Sequence, residues 1–311
     1  MGLILASAVG AEERFINCEY DFALGNEGNT FELTIPYSDW AGDVTFGKRV
    51  YIPGTEYGGI VKAIEGDTSK DVIFVKGYTW RGYFDKKLFR GTLSGDLSAI
   101  VTTLIGSYGG LFRVAGATGI ATEATFSDYV TIAEAARTIL EPVGHRLNFS
   151  YVQTAESGYC EVRVVPAMHL IDGISQDGGL DFTSEDYRMG INHMIVFNGT
   201  ETGHLYADEN GIVSTTQTLV GIDELTDIYV DDSDDMTQTM EAAAEQFREM
   251  VNYKSIKATC REIDGIDLNI GDVVSGIDYI TGLTASMPIT SKIVTLKDGN
   301  LSIQYGVGDN R

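Results

Sequence analysis

The chain has 311 residues, 43% hydrophobic and 10% aromatic, with 36 glycines against 5 prolines; this is enough apolar material for two or three cored domains and excludes a disordered chain. Its 45 acidic and 22 basic residues give a formal net charge of −23, which repels duplex DNA and anionic membranes but permits a passage that nucleic acid slides through without sticking. No apolar run approaches the ~20 residues of a membrane helix. Cys18, Cys160 and Cys260 stand far apart in strand-like segments and are expected as buried reduced thiols, not as a metal or disulfide framework. The opening MGLILASAVGAEER has no basic n-region, and Ala6 stands where a myristoylation signal has Ser or Thr. A soluble protein made in a reducing cytoplasm is expected.

Phe15–Asp21 and Phe31–Pro36 read as strands joined through the GNEGN turn at Gly25–Asn29, and Val44–Ile52, Gly59–Ile64 and Asp71–Gly77 continue the pattern. Residues 1–90 form one small all-β unit on this reading. The stretch DVIFVKGYTWRGYFDKKLFRG, Asp71–Gly91, begins as a strand and turns aromatic and basic halfway. Tyr78, Trp80 and Tyr83 are the expected structural anchors. Arg81, Lys86, Lys87 and Arg90 make a local positive excess in an acidic chain, as a surface meeting something negative, such as another copy of the chain, requires. An exposed basic turn over an aromatic mini-core is the alternative.

Residues 91–177 read as an α+β insert. Leu97, Ile100, Val101, Leu104 and Ile105 lie at helical spacing before the stops Gly109 and Gly110, and 116–126 reads as a small, polar loop. A second helix has a capping box at Thr131 and Glu134, an apolar stripe of Ile132, Ala136, Ile139 and Leu140, and Pro142 beyond it. Leu147, Phe149 and Tyr151, then Val162 and Val164, alternate as strands. In residues 178–311 the β pattern returns in GINHMIVFNG and HLYA, the latter closed by a turn at Asp208–Gly211. Asp223–Asp235 carries seven acids and no base, without EF-hand spacing, and reads as a solvated loop. It ends in the cap of a helix over 234–251, with Met236, Met240, Ala243, Phe247 and Met250 on one face. Lys254–Glu262, Asp272–Ser275, Ile289–Leu296 and Leu301–Tyr305 read as closing strands.

The order of Gly47, Arg49–Ile52, a glycine-containing turn, Ile60–Ile64 and a strand ending at Gly77 recurs as Gly271, Val273–Val274, a glycine-containing turn, Ile289–Val294 and a strand ending at Gly306. Such an echo predicts two copies of one β unit.

Motifs for chemistry are missing. Gly42–Lys48 matches the start of a phosphate-binding loop, but Arg49 replaces its Ser or Thr and a strand follows where a helix is needed. His145, His169, His193 and His204 have no metal-ligand spacing, and neither GxSxG nor a strand-borne GxGxxG occurs. No catalytic, cofactor-binding or metal residue is nominated, and no cofactor is expected.

KRVYIPGTEYGGIVKAIE, KGYTWRGYFDKKL, EDYRMGINHMIVFNG, HLYADENG and the closing LNIGDVVSGIDYITG and MPITSKIVTLKDGNLSIQYG resemble the tail hub proteins of tailed phages and of tail-like bacteriocins of Gram-positive bacteria. These in turn resemble the central hub of the contractile-phage baseplate. The resemblance implies a mainly β chain with an α+β insert and two tail-tube-like β-barrel domains: 1–90, then the insert 91–177, then 178–311 with the helix 234–251. It implies a structural, non-enzymatic hub that joins the tail tube to the baseplate or spike and forms part of the ejection channel. Three two-barrel copies match a ring of six barrels, so a homotrimer is expected. The implied partners are the tail tube or distal tail protein above, spike, tip or other baseplate proteins below, and the tape-measure protein. DNA passes without specific binding, and the chain does not insert in a membrane. The implied place is a virion tail or tail-like particle assembled in the bacterial host cytoplasm. Some relatives carry a wall-degrading domain after the hub, which this chain is expected to lack. A cell-wall-degrading tail enzyme and a receptor-binding tail module are the alternatives.

Overall fold

The computed structural model describes residues 2–8, 12–25, 28–174, 180–231, 233, 235–261, 267–277 and 284–307. Strands dominate. In chain order they begin with β1 (Leu3–Ala6), β2 (Glu12–Ile16), β3 (Glu19–Gly25), β4 (Thr30–Pro36), β5 (Arg49–Tyr51), β6 (Gly58–Asp67), β7 (Val72–Thr79) and β8 (Leu88–Asp96). Helix α1 (Leu97–Ile105) leads to β9 (Phe112–Val114) and β10 (Ala121–Thr131), and α2 (Ile132–Leu140) to β11 (His145–Gln153), β12 (Gly158–Pro166) and β13 (His169–Ile174). Then come β14 (Leu180–Tyr187), β15 (His193–Phe197), β16 (Thr202–Ala207), β17 (Val213–Ser214), β18 (Thr226–Val230), α3 (Met236–Arg248), β19 (Tyr253–Arg261), β20 (Val273–Ile277), β21 (Thr284–Lys297) and β22 (Asn300–Val307). The chain divides into two units, one of residues 1–181 and 258–308 and one centred on 182–257.

In the larger unit the strands run β22-β21-β3-β4-β7-β6-β5-β1-β2, every neighbouring pair antiparallel. The alternation that predicted strands decides which face is buried: along β4, Phe31, Leu33 and Ile35 point into the core and the residues between them do not. Leu3, Leu5, Phe22, Leu24, Val50 and Val75 join them. The two echoing stretches are both three-stranded antiparallel meanders, β5-β6-β7 and β20-β21-β22, linked in one sheet through β3 and β4. Among the described residues the sheet does not close into a barrel. The expected strand Phe15–Asp21 is split, because Asn17 and Cys18 carry the chain from β2, paired with β1, to β3, paired with β4 and β21.

Both helices of residues 91–177 form where capping and spacing place them. Asp96 caps α1 by accepting from Ser98 N at 2.8 Å, and Thr131 caps α2 by accepting from Glu134 N at 3.0 Å. Gly109, at φ 62°, ends the 3₁₀ turn after α1. Residues 121–126 correct the loop expected there: they belong to β10, which pairs with β8 from Ala121↔Asp96 to Thr131↔Leu88. Their alternation of half-buried Thr122, Ala124 and Phe126 with exposed neighbours was obscured by the small side chains.

In the smaller unit the order is β17-β16-β15-β18, with β15 antiparallel to β16 and parallel to β18. Met194, Val196, Leu205 and Ala207 bury against Ala243, Phe247 and Val251. Asp235 caps α3 by accepting from Thr237 N at 2.9 Å, while Asp234 lies outside the described residues. A Cβ on Gly190 would lie 2.2 Å from the Val251 carbonyl carbon, so only glycine fits that crossing. The turn at Asp208–Gly211 forms as its sequence requires, Asp208 Oδ1 accepting from Asn210 N and Ile212 N. The acidic run is corrected: it is not all loop, because the β-branched and aromatic Thr226–Val230 pairs as β18. No helix among the described residues is long and apolar enough to cross a membrane.

Candidate assembly surface

The segment Asp71–Gly91 sits where the sheet of the larger unit meets the layer of α1, α2, β9, β11 and β12. After β7, the 3₁₀ turn Arg81–Lys86 redirects the chain into β8. Trp80, at the head of that turn, is fully buried, and its ring stacks on Tyr151 of β11 with centroids 4.5 Å apart and planes 4° apart. Gly58 makes room for it, because a Cβ there would lie 2.7 Å from Trp80 Nε1. Tyr51 packs on the same tyrosine at 4.6 Å. Arg49 closes the group: its Nη1 donates to Tyr151 OH at 3.0 Å, Gly158 O at 2.7 Å and Ala8 O at 2.9 Å. The residue that spoils the phosphate-loop match is therefore a buried crosslink between β5 and the β11–β12 hairpin.

Tyr78 and Tyr83 meet edge to face at 6.0 Å. Burial pushes the Tyr83 phenol up to about 12, and its backbone carbonyl accepts from Tyr108 OH. Phe84, 1% exposed, is the hub of the aromatic cluster, with Phe112 at 5.1 Å, Phe149 at 5.2 Å and Tyr108 at 6.1 Å. Sequence alone gave Phe84 no rank over its neighbours; the signal is its position inside a short turn between two strands, where one face must be buried.

The four basic residues divide. Arg81 is turned inward, paired with Glu56 at 3.2 Å and lying 4.7 Å over the Phe149 ring. Lys87 donates to Ser107 O at 2.5 Å and lies over Tyr108. Lys86 and Arg90 are exposed and rest over Tyr78 and Tyr129. Beside them Leu88 is 63% exposed and Tyr129 67%. These side chains make an apolar and basic surface on an aromatic foundation. Asp85, next to it, is pushed above the usual carboxylate range by burial, although Asn29 Nδ2 donates to it at 2.8 Å.

Other groups singled out in the sequence lie elsewhere. Cys160 is fully buried and its thiol pushed well up by burial; Cys18 is half-buried and pushed up to about 12 for the same reason. The side chain of Cys260 lies outside the described residues. His193 and His204, without ligand spacing in sequence, meet across the β15–β16 hairpin at 2.9 Å, and His193 Nδ1 lies 2.7 Å from Glu224 Oε1. Their contact is diagonal, His193 standing opposite Tyr206 and Ile195 opposite His204, a relation that only the hairpin register reveals. Among the described residues no three His, Cys, Asp or Glu side chains gather as metal ligands do.

No family model matches the chain, and no curated protein does. Solved structures match over nearly its whole length. A tail protein of prophage MuSo2 from Shewanella oneidensis is similar at 15% identity, with 99% of this chain and 98% of that chain covered and a TM-score of 0.53. A chain of the phage P2 baseplate in its activated conformation is similar at 10% identity, full coverage of both chains and a TM-score of 0.52. The prophage tail protein gp18 from Listeria monocytogenes is similar at 12% identity, with 100% and 96% covered and a TM-score of 0.51. The chain thus shares its fold, from end to end, with phage and prophage tail and baseplate proteins.

Proposed function

We propose that the chain is a structural hub at the tip of a phage tail or tail-like particle, joining the tail tube to the baseplate or spike and forming part of the ejection channel. The observation that carries this is the end-to-end match to tail and baseplate proteins, with the whole chain taken up by one shared fold. On this reading residues 1–90 and 178–311 are the two tube-like barrel domains, the latter with the helix 234–251, and 91–177 is the insert. Two features favour barrels. The paired meanders β5-β6-β7 and β20-β21-β22 repeat one unit, and the run β3-β4-β7-β6-β5-β1-β2 has its first and last strands joined by only Asn17 and Cys18, which holds the ends of the run near each other.

Three such chains present six barrels to a hexameric tube, so the hub is a homotrimer. Tyr78, Trp80 and Tyr83 anchor the turn; Lys86, Lys87 and Arg90, with Arg81 beneath, belong to the subunit interface. Tube or distal tail protein lies above, spike or other baseplate proteins lie below, and the tape-measure protein is a further contact. Part of the acidic excess lines the channel and keeps DNA from adhering. The chain acts in the virion tail after assembly in the host cytoplasm, and is not an enzyme.

Reconstruction of the intact particle by electron microscopy tests this. Three copies in a ring under the tube, with an acidic lumen, are expected; six copies, or a lumen lined mainly by Lys and Arg, overturn it. Solubilisation of bacterial wall by the purified chain, abolished by a single carboxylate substitution, would instead establish an enzyme.

A further inference from the structure

The smaller unit has a charge distribution unlike the rest of the chain. From Met189 to Phe247 there is no Lys or Arg, while Asp223, Glu224, Asp227 and Asp231 crowd around one strand, β18. That strand ends the sheet. It pairs with β15 on one side, and among the described residues nothing pairs with its other side. Leu225 O accepts from His193 N and Asp231 N donates to Phe197 O, so the odd-numbered residues bond to β15. Thr226, Ile228 and Val230 therefore direct their N–H and C=O groups to the open edge.

The side chains alternate as well. Tyr229 packs toward the α3 core, on the face it shares with Asp227 and Asp231. Ile228 and Val230 project from the opposite face and are 56% and 59% exposed. Leu225 at 41%, Val220 at 63% and Ile222 at 95% leave further apolar side chains exposed in the preceding segment. An open, apolar edge is a template for strand addition unless something blunts it. Here the blunting group is Asp227, whose Oδ1 accepts from Ile228 N at 2.8 Å and so covers the open edge.

We propose that β18 is a docking edge for an extended protein segment in which apolar side chains alternate with Lys or Arg, added as a further strand of this sheet. The alternation follows from the edge. On one face the incoming strand lies beside Ile228 and Val230 and needs apolar residues; on the other it lies beside Asp227 and Asp231 and needs positive charge. A basic side chain draws the Asp227 carboxylate off the Ile228 amide and frees the edge, whereas a neutral or acidic strand must strip or repel it. That selects against a second copy of this chain, whose own β18 brings the same acids.

Hydrogen exchange of the full chain over 226–230, with binding followed by fluorescence anisotropy, provides the test. The probes are a short synthetic peptide alternating Lys with Val, its N-methylated form that cannot pair, and a peptide alternating Glu with Val. The Lys–Val peptide is expected to slow exchange at Ile228 and Val230 and to bind about ten-fold or more tighter than either control. Asp227→Lys, at an exposed position that leaves the core intact, is expected to abolish that preference and favour the Glu–Val peptide. Absence of binding, equal binding of the N-methylated peptide, exchange unchanged over 226–230, or indifference to Asp227→Lys overturns the proposal. Concentration-dependent protection of the same amides without peptide assigns the edge to a second copy, and overturns it too.

Discussion

Trp80 and Tyr151 lie in nearly parallel planes with ring centroids 4.5 Å apart, one directly after β7 and the other near the end of β11, so this ring contact helps fasten the sheet to the hairpin layer. Because Trp80 is fully buried, Trp80→Ala is expected to lower the unfolding free energy by about 3–5 kcal/mol in denaturant titrations. Trp80→Phe should cost clearly less, since the indole Nε1 has no hydrogen-bond partner to lose among the described residues. A double-mutant cycle with Tyr151→Ala should report a coupling of about 0.5–1.5 kcal/mol. A Trp80→Ala effect below about 1 kcal/mol would place the anchor elsewhere.

Lys86 and Arg90 are exposed, whereas Arg81 pairs with Glu56 and Lys87 donates to Ser107 O within the chain. On the proposed trimer, charge reversal at Lys86 and Arg90 together should weaken assembly without unfolding the monomer. Light scattering over a range of salt, with circular dichroism alongside, measures both. Normal assembly of the double variant at low and high salt counts against an interface there.

Asp85 has a raised pKa because burial disfavours its charged form. A group raised in this way binds its proton more tightly folded than unfolded, so its contribution falls as pH climbs from the ordinary value of 3.8 through the folded value and stays low above it. Asp85→Asn, which keeps an oxygen for the Asn29 amide, is thus expected to stabilise the protein at neutral pH. The gain should shrink as pH drops toward the ordinary carboxylate range. A variant less stable than the parent at pH 7 contradicts the argument.

Asp272 is fully buried, with Oδ1 accepting from Arg146 Nε at 2.5 Å and Met168 N at 2.7 Å and Oδ2 accepting from Asn269 N at 2.7 Å. Removing only the acid strands a nearly buried guanidinium, so Asp272→Ala should cost about 3–5 kcal/mol. Replacing Arg146 by Met in the same chain should recover part of that loss. Equal or greater destabilisation in the double variant would show that the carboxylate matters for its backbone bonds alone.

Much of the fold was legible because local rules and the global sheet agree. Alternation along Phe31–Ile35, the caps at Thr131 and Asp235 and the Asp208 turn all appear where their chemistry puts them. The misses have a common cause: the deciding contact is remote. Residues 121–126 look like loop until β8 lies beside them, and β18 hides in an acidic run until β15 supplies its ladder. Lys292 is harder still, a fully buried ammonium whose Nζ reaches Asp267 at 2.7 Å beneath the rings of Tyr57 and Tyr305. No period in the sequence marks it. At the candidate surface, the aromatic and basic character of Asp71–Gly91 could be read directly, but the inward turn of Arg81 depends on Glu56 and Phe149.

The ladder between β3 and β21, Tyr20↔Leu296 to Gly25↔Ser291, sets the order in which the protein can be made. While the chain emerges from the ribosome, β4 can cover one side of β3 at once, but the other side waits until residue 296 has been synthesised. Throughout that interval a nascent chain carries an unpaired strand among strongly apolar neighbours, open to the matching edge of any chain translated beside it. Long-range closure of this kind also folds slowly. Cells expressing the protein should therefore yield more native material when translation is slowed or chaperones are abundant, and residues 19–25 should be the first place to look for crosslinks between newly made copies.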